Sequence, residues 1–254
     1  MSLVMPALLS QLDQLISLPS VSSANSELDM SNKGVIYFLA EAFESMGFSC
    51  EIITCNNNKN KFNLIATLGS GPGGLVLAGH TDTVPFDQEL WSVDPFQLTE
   101  KDGKIFGLGI TDMKGFFPIA MEAIKPISEA DFVEPLIILA TADEETSMQG
   151  ARTLAELGRP KARSAVIGEP TGLRPVKAHK GIMMDCIRLF GESGHSSDPS
   201  LGKNALDAMH QVISQLIDYR DQLKDRYSSE LFTIPYPTLN LGSIHGGDNP
   251  NRIC

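Results

Sequence analysis

Three short apolar runs, each ending in residues that could bind a metal ion, limit the folds open to this chain. The runs and their polar ends are 75–78 before Gly79-His80-Thr81-Asp82, 136–142 before Asp143-Glu144-Glu145, and 165–167 before Gly168-Glu169. Such short runs are typical of fully buried strands. Because helical patterns lie between them, the sequence predicts an α/β layer with a largely parallel sheet. In such sheets, ligands bind beyond the carboxyl ends of the strands.

The other elements are predicted from hydrophobic periodicity and from turn residues. Helices are predicted at 6–17, from Ser31 as N-cap to Met46, from after Asp112 to about 127, at Gln149–Leu157 and at 205–224. Strands are predicted at 48–54 and 62–68, with a polar loop at 56–61 between them and a hairpin at 99–107.

The character of the chain changes after Gly181. A looser strand pattern at 182–190 leads into a polar loop at 191–202, then the long helix, then a strand at 238–245. Strand, helix and strand with a smaller core predict a second, α+β module.

Composition and charge exclude some classes of protein. The net charge of −11 argues against a nucleic-acid partner, which would need a basic face. No apolar run approaches the ~18–20 residues that span a membrane, and the N-terminus lacks the pattern of a signal peptide. The four cysteines show no metal-type spacing, so we expect reduced thiols in a cytoplasmic protein.

One histidine and five acidic residues at the ends of predicted core elements indicate a metal site. They are His80, Asp82, Asp112, Glu144, Glu145 and Glu169. Carboxylates gathered at the mouth of a sheet repel one another, and a divalent ion removes that repulsion. One histidine with several carboxylates suits Zn²⁺, Co²⁺ or Mn²⁺.

The adjacent glutamates Glu144 and Glu145 suggest two separate roles, one as a metal ligand and one as a base. Neighbouring side chains at a strand end diverge, so one can bind metal while the other faces the substrate as a free base. If two metals are bound, a bridging carboxylate is also needed. Asp112, on its own loop, is the natural candidate for that bridge.

Four ordered motifs resemble the dinuclear zinc M20 family of metallopeptidases and deacylases. They are Gly79-His80-Thr81-Asp82-Thr83-Val84-Pro85, Gly107-Leu108-Gly109-Ile110-Thr111-Asp112-Met113-Lys114-Gly115, Asp143-Glu144-Glu145 and Gly168-Glu169-Pro170. The resemblance implies a zinc-peptidase-like catalytic domain, with a largely parallel mixed sheet between helices, at residues 1–181. It implies part of a smaller, ferredoxin-like lid or dimerisation domain at 182–254.

The resemblance also implies a role for each motif residue. His80 and Glu169 would bind the first metal, Asp82 would orient His80, and Asp112, before a cis peptide, would bridge both metals. Glu144 would be the general base and acid, and Glu145 would bind the second metal. His195 would reach the partner subunit's active site and stabilise the oxyanion. Lys180 and Asn251 are expected substrate contacts.

Within the family, the chain is most similar to members that remove the acetyl group from N²-acetyl-L-ornithine in arginine biosynthesis. The expected cofactor is Zn²⁺ or Co²⁺, two per subunit in a homodimer, and the expected substrate is a small acylated amino acid. The alternatives are desuccinylation of succinyl-diaminopimelate and M20 aminopeptidase or carboxypeptidase activity, since the metal site cannot separate these reactions.

One departure from the family pattern weakens the second metal site. The family places a further metal-binding histidine near its C-terminus, and His179, His210 and His245 do not match that motif. The expectation is therefore a chain truncated at Cys254, with an incomplete second site. A second alternative follows, namely an inactive fragment that binds metal without turnover.

Overall fold

The computed structural model describes residues 4–127 and 132–254, which divide into two compact units, one ending at Arg174 and the other spanning Pro175–Cys254. The helices are α1 (Val4–Ile16), α2 (Lys33–Ser45), α3 (Phe116–Ile124), α4 (Gln149–Leu157) and α5 (Ala205–Arg226). The strands are β1 (Ser49–Cys55), β2 (Asn58–Leu68), β3 (Leu75–His80), β4 (Thr99–Lys101), β5 (Lys104–Phe106), β6 (Leu136–Thr141) and β7 (Ser164–Ile167).

A five-stranded mixed sheet, in the order β1-β2-β6-β3-β7, forms the centre of the first unit. Strand β3 runs parallel to both β6 and β7, whereas β2 runs antiparallel to β1 and β6. The predicted α/β layer with a mixed sheet is therefore confirmed. The three parallel strands bring their carboxyl ends, with the polar residues that follow them, to one edge of the sheet.

Both faces of the sheet are covered because the strand residues alternate between two cores. Leu64 and Ala66 of β2 pack with α2 and α3 in the larger core. Ile65, between them, packs in the smaller core with Leu154 of α4. The apolar residues of β2 and β6 are thus covered by helices on both sides of the sheet.

The third apolar run forms a strand, but the prediction that it is buried was wrong. All four residues of β7 are exposed, and the side chains of Val166 and Ile167 are 49% and 65% exposed. β7 lies at the edge of the sheet and pairs only with β3. The apolar run therefore predicted the strand correctly but did not predict whether its side chains are buried.

Two local predictions also need correction. Helix α2 begins at Lys33 with Asn32, not Ser31, as its N-cap residue. The segment predicted as a polar loop at 56–61 belongs largely to β2, which begins at Asn58. Lys61 is fully buried because two carboxylates contact its ammonium group.

The second unit contains α5 but neither of the strands predicted at 182–190 and 238–245. A strand needs a neighbour for its backbone hydrogen bonds and a covered apolar face. In the described structure these segments have no such neighbour, and Ile182 and Phe190 are 79% and 92% exposed. None of the described helices combines the length and apolar character needed to cross a bilayer.

Asn32 connects α2 to two strands, so its replacement should destabilise the fold. Its amide Nδ2 donates to the Phe62 carbonyl at 2.8 Å and to Thr81 Oγ1 at 2.7 Å, and its Oδ1 accepts from the Phe62 N–H at 2.9 Å. Asn32→Ala would remove the side-chain partners of the Phe62 N–H and carbonyl and one of the two bonds of Thr81 Oγ1, and should lower the free energy of unfolding by about 2–4 kcal/mol. Urea denaturation measures this loss.

The exposed Ser31 provides the control, because its hydroxyl bonds lie at the surface. Ser31→Ala should change the free energy of unfolding by less than about 1 kcal/mol. Equal losses in the two variants would contradict the assignment of Asn32 as the connecting residue.

Candidate active site

His80 is the last residue of β3, and it is 2% exposed. Its Nδ1 lies 2.9 Å from the backbone oxygen of Asp82, which can only accept, so Nδ1 carries the proton. Nε2 therefore faces the open side of the site, 3.0 Å from Asp112 Oδ1 and 3.9 Å from Glu169 Oε1. A histidine held in this way presents a lone pair for a metal ion.

Glycine at position 79 allows helix α3 to approach the end of β3. A Cβ added to Gly79 would lie 2.8 Å from the Met113 side chain and 3.1 Å from the Phe117 ring. This close packing brings the loop before α3, which carries Asp112, against the strand end. The Asp112–Met113 peptide is cis, as the sequence resemblance predicted.

Asp82, 1% exposed, fixes the loop after β6. Its two carboxylate oxygens accept the backbone N–H groups of Glu144 and Glu145 at 3.2 Å and 3.1 Å. Asp82 thus acts on both sides of the site, since its backbone holds His80 and its side chain holds the two glutamates. The predicted orienting role of Asp82 remains a prediction, although its contacts are of the required kind.

The structure brings four of the predicted acidic residues close to His80. The ligand atoms of His80, Asp112 and Glu169 lie within 4.8 Å of one another, and so do those of His80, Glu144 and Glu145. Asp112 and Glu169 have side chains that are 51% and 37% exposed, so the cluster opens to solvent on their side. This imidazole and carboxylate set fits a divalent ion such as Zn²⁺.

Burial and mutual repulsion change the acidity of these groups. Burial, followed by the charge of Asp112, raises the pKa of Glu145 from 4.5 to about 7. The same two causes raise the pKa of Glu169. Burial alone would lower the pKa of His80, but the charges of Asp82, Glu144 and Glu169 outweigh it and raise that pKa. Without a cation the cluster therefore holds protons.

Sequence reasoning missed Lys114, which connects the Asp112 loop to the C-terminal end of α1. Its side chain is fully buried, and Nζ donates to the backbone oxygens of Leu15 and Leu18 at 3.2 Å and 3.0 Å. Burial lowers its pKa to about 8. These acceptors lie at and just beyond the C-terminal end of α1, where carbonyl groups lack helical partners. Only the tertiary structure shows this contact.

The second unit contains the other predicted site residues, His195, Asn251 and Lys180. His195 and Asn251 line one open hollow of about 580 Å³, together with Ser193, Asp248 and Arg252. His195 Nδ1 lies 2.7 Å from Ser197 Oγ, while Arg252 pairs with Asp248. Lys180 donates to the carbonyl groups of Ile234 and Tyr236, both at 3.2 Å.

Comparison with known families assigns the chain to one group of proteins. Residues 76–239 match the model for peptidase family M20/M25/M40, which covers more than half of the chain. The chain therefore belongs to the M20 family, whose members bind divalent metals such as zinc.

Solved structures of similar fold are metallopeptidases and dipeptidases. A tripeptidase from Staphylococcus aureus aligns with 98% of this chain and 63% of its own, at 18% identity and a TM-score of 0.55. Human carnosine dipeptidase 1 aligns over 63% of this chain and 38% of its own, at 22% identity and a TM-score of 0.52.

A third similar structure is an M20 family metallo-carboxypeptidase from Sulfolobus solfataricus, at 18% identity and a TM-score of 0.51. It aligns over 66% of this chain and 37% of its own. The chain thus spans less than two thirds of the length of each of these proteins. At such identities the likeness describes the fold and not the substrate.

The raised pKa of Glu145 predicts how the stability of the metal-free protein depends on pH. The unfolded chain releases this proton near its ordinary pKa of 4.5, and the folded chain near 7, so stability falls as pH rises between these values. Full burial would make the loss about 3 kcal/mol, and solvent beside this half-buried carboxylate reduces it to about 1–2 kcal/mol.

Urea denaturation of metal-free protein between pH 4.5 and 7.5 tests this prediction. Glu145→Gln cannot ionise, so its stability should fall less over the same range. His80 titrates in both proteins, so the comparison reports the loss of the Glu145 carboxyl together with its interaction with His80. Parallel pH profiles for the two proteins would show that Glu145 ionises normally in the folded chain.

Proposed function

We propose that this chain is a metal-dependent hydrolase that cleaves the amide bond of N²-acetyl-L-ornithine to give ornithine and acetate. The observation that supports it most is the cluster of His80, Asp112, Glu144, Glu145 and Glu169 within reach of one another at the sheet edge. The proposal includes the cytoplasmic location and the role in arginine biosynthesis that the sequence resemblance implies. The described cysteines are unpaired, which is consistent with that location.

His80, Asp112 and Glu169 would hold one divalent ion, and Glu145 with Asp112 would hold a second. Zn²⁺ or Co²⁺ bound there would lower the pKa of water and polarise the amide carbonyl. Glu144 contacts the same cluster without being required as a ligand. It would take the proton from the attacking water and deliver it to the leaving amine nitrogen.

The ornithine product has two amines and one carboxylate, so its recognition needs groups outside the metal cluster. Four segments, at 78–87, 140–148, 178–181 and 235–242, support the acetylornithine assignment through their resemblance. Asn251 and Lys180 are the proposed substrate contacts in this scheme. Lys180 already bonds two carbonyl groups, so its contact with substrate would require those bonds to be exchanged.

Peptidase activity is the second candidate, and it has its own support. The similar structures named above are a tripeptidase, a dipeptidase and a metallo-carboxypeptidase. The same chemistry cleaves acetyl amides and peptides, since only the groups flanking the scissile bond differ. Desuccinylation of succinyl-diaminopimelate is a further alternative, because it uses the same metal chemistry on another amide.

His195 is proposed to stabilise the oxyanion at the active site of the partner subunit in a homodimer. It lies in an exposed polar hollow, where its ring can reach a ligand from another molecule. A histidine donor at a developing oxyanion contributes through electrostatic stabilisation of the transition state.

The first test replaces the proposed general base and measures hydrolysis and metal content together. Glu144→Gln should lower kcat on N²-acetyl-L-ornithine by at least about 100-fold, because proton transfer is lost. Its content of Zn²⁺ or Co²⁺ should match that of the unsubstituted chain, measured by elemental analysis after equilibrium dialysis. A single equivalent of metal would agree with the predicted shortage of a second-site ligand.

The substrate assignment is tested in the same assay with succinyl-diaminopimelate, a dipeptide and a tripeptide as competitors. Faster turnover of a peptide than of acetylornithine would favour the peptidase alternative. Metal binding without hydrolysis of any of these compounds would favour the fragment that lacks turnover.

The second test asks whether His195 acts across a dimer. His195→Ala and Glu144→Gln should each be nearly inactive, but a mixture refolded together should recover activity. Half of the dimers would be mixed and each would hold one complete site, so recovery of about a quarter of wild-type activity is expected. No recovery beyond the sum of the two variants, in a mixture shown by size to be dimeric, would refute action in trans.

A further inference from the structure

A buried lysine, Lys61, lies directly behind the loop that carries Glu144 and Glu145. Its Nζ is 2.7 Å from Asp143 Oδ1 and 2.7 Å from Asp29 Oδ1, and its side chain is only 1% exposed. The carboxylates of Asp143 and Asp29 are 8% and 25% exposed. The three groups form a compact charged network within the first unit.

Asp143 immediately precedes the two glutamates, and several hydrogen bonds restrict its conformation. Its backbone has a φ of 55°, in the left-handed region that non-glycine residues rarely adopt. Its Oδ1 also accepts a hydrogen bond from Ser22 Oγ at 2.9 Å, and its carbonyl accepts from the Met148 N–H at 2.6 Å. Lys61 is the cation that compensates the buried charge of this strained residue.

Asp29, the other partner of Lys61, belongs to a segment that pairs with the residues after β3 through Val21 and Thr83. Within that segment Ser22 donates its N–H to the Thr83 carbonyl at 2.8 Å, and Thr83 donates to the Ser20 carbonyl at 3.1 Å. The Ser23 N–H donates to Asp29 Oδ1 at 3.1 Å. Lys61 therefore joins the segment beside His80-Thr81-Asp82 to the loop beyond β6.

Strand β2 supplies a second contact to the same loop from the same face. Asn63, two residues after Lys61, accepts the Ala142 N–H at 3.1 Å and donates to the Gly150 carbonyl at 3.0 Å. Residues two apart on a strand share a face. Asn63 thus fixes the two ends of the loop through backbone groups, while Lys61 fixes its interior through charge.

We propose that Lys61 is a positioning residue, which acts through Asp143 to hold Glu144 and Glu145 at the correct distance from His80. The loop is then held from two directions, by Asp82 through the N–H groups of Glu144 and Glu145, and by Lys61 through the side chain of Asp143. Its effect on hydrolysis rests on the proposed function, whereas its effect on metal binding can be measured separately.

The charge balance supports this role over that of a simple surface ion pair. Burial alone would lower the pKa of Lys61, but its hydrogen bonds to Asp143 and Asp29 outweigh burial and raise that pKa. The ammonium group therefore stays charged while it lies close to an acidic metal site. Its charge is balanced by Asp29 and Asp143, neither of which belongs to the proposed ligand set.

The test measures Co²⁺ affinity, the visible spectrum of the Co²⁺ protein and steady-state hydrolysis of N²-acetyl-L-ornithine. Lys61→Met should weaken Co²⁺ binding and lower kcat by about 10-fold or more, the range found when partners of metal ligands are removed. KM should change by less than about 3-fold. The Co²⁺ spectrum should shift because the Glu145 carboxylate, which lies within 4.8 Å of the His80 ligand atom, moves relative to the ion beside His80. Lys61→Arg, which keeps the charge, should recover most of both properties.

Leu39→Ala is the control for lost stability, because Leu39 is fully buried in α2 and belongs to the larger core. At a temperature where it is folded, it should bind Co²⁺ like the unsubstituted chain, with an unchanged spectrum. If Lys61→Met behaves like this control, the lysine is merely structural and the proposal is wrong.

Asp29→Asn keeps the Lys61–Asp143 pair and tests the proposal if Lys61→Met does not fold. It should shift the Co²⁺ spectrum in the same direction and weaken binding by about 3-fold, a smaller effect because one anchor remains. No change in Co²⁺ binding or spectrum for Asp29→Asn would overturn the proposal in that case.

The unsubstituted chain separates failure of this inference from failure of the proposed function. Co²⁺ binding without hydrolysis would refute the proposed function, while the affinities and spectra of the variants would still decide the role of Lys61. A chain that binds no Co²⁺ would refute both.

Discussion

The parallel pairing of β6, β3 and β7 is the constraint on which the candidate active site depends. In this register Thr141, the last residue of β6, pairs with His80, and Ile167, the last of β7, pairs with Ala78. The chain therefore leaves all three strands at one edge, and the polar residues that follow must share a small volume. Antiparallel pairing would have distributed the same residues over opposite edges.

Concentrating carboxylates at one edge has an electrostatic cost that the surrounding structure offsets only in part. Buried acids repel one another and lose hydration, which raises the pKa of Glu145 and Glu169. Behind the site, Lys61 balances Asp143, and Lys114 bonds backbone carbonyls at the end of α1. The face of the cluster around His80 Nε2 contains no such lysine among the described contacts, and a divalent ion fits there.

Much of the first unit was predictable, because its elements have strong local patterns. The bounds predicted for α4 agree with the structure, and the ends of β3 and β6 lie within a few residues of those expected. Errors arose where local pattern and tertiary environment disagree. Lys61 was assigned to a polar loop because a lysine among asparagines is usually solvated, but Asp29 and Asp143 stabilise it inside the fold. The strands predicted in the second unit failed because periodicity cannot supply a neighbouring strand.

The sequence by itself determined which polar residues follow the parallel strands, and hence the types of candidate ligand and the kind of metal that would suit them. His80, Glu144, Glu145 and Glu169 follow apolar runs, and this order is visible without coordinates. Only the tertiary structure decided what holds them. Ser22 and Asp29 are far along the chain from Lys61 and from Asp143, and no local pattern connects them. Their contacts arise because β2 packs beside β6 and the segment at 20–30 pairs with the residues after β3.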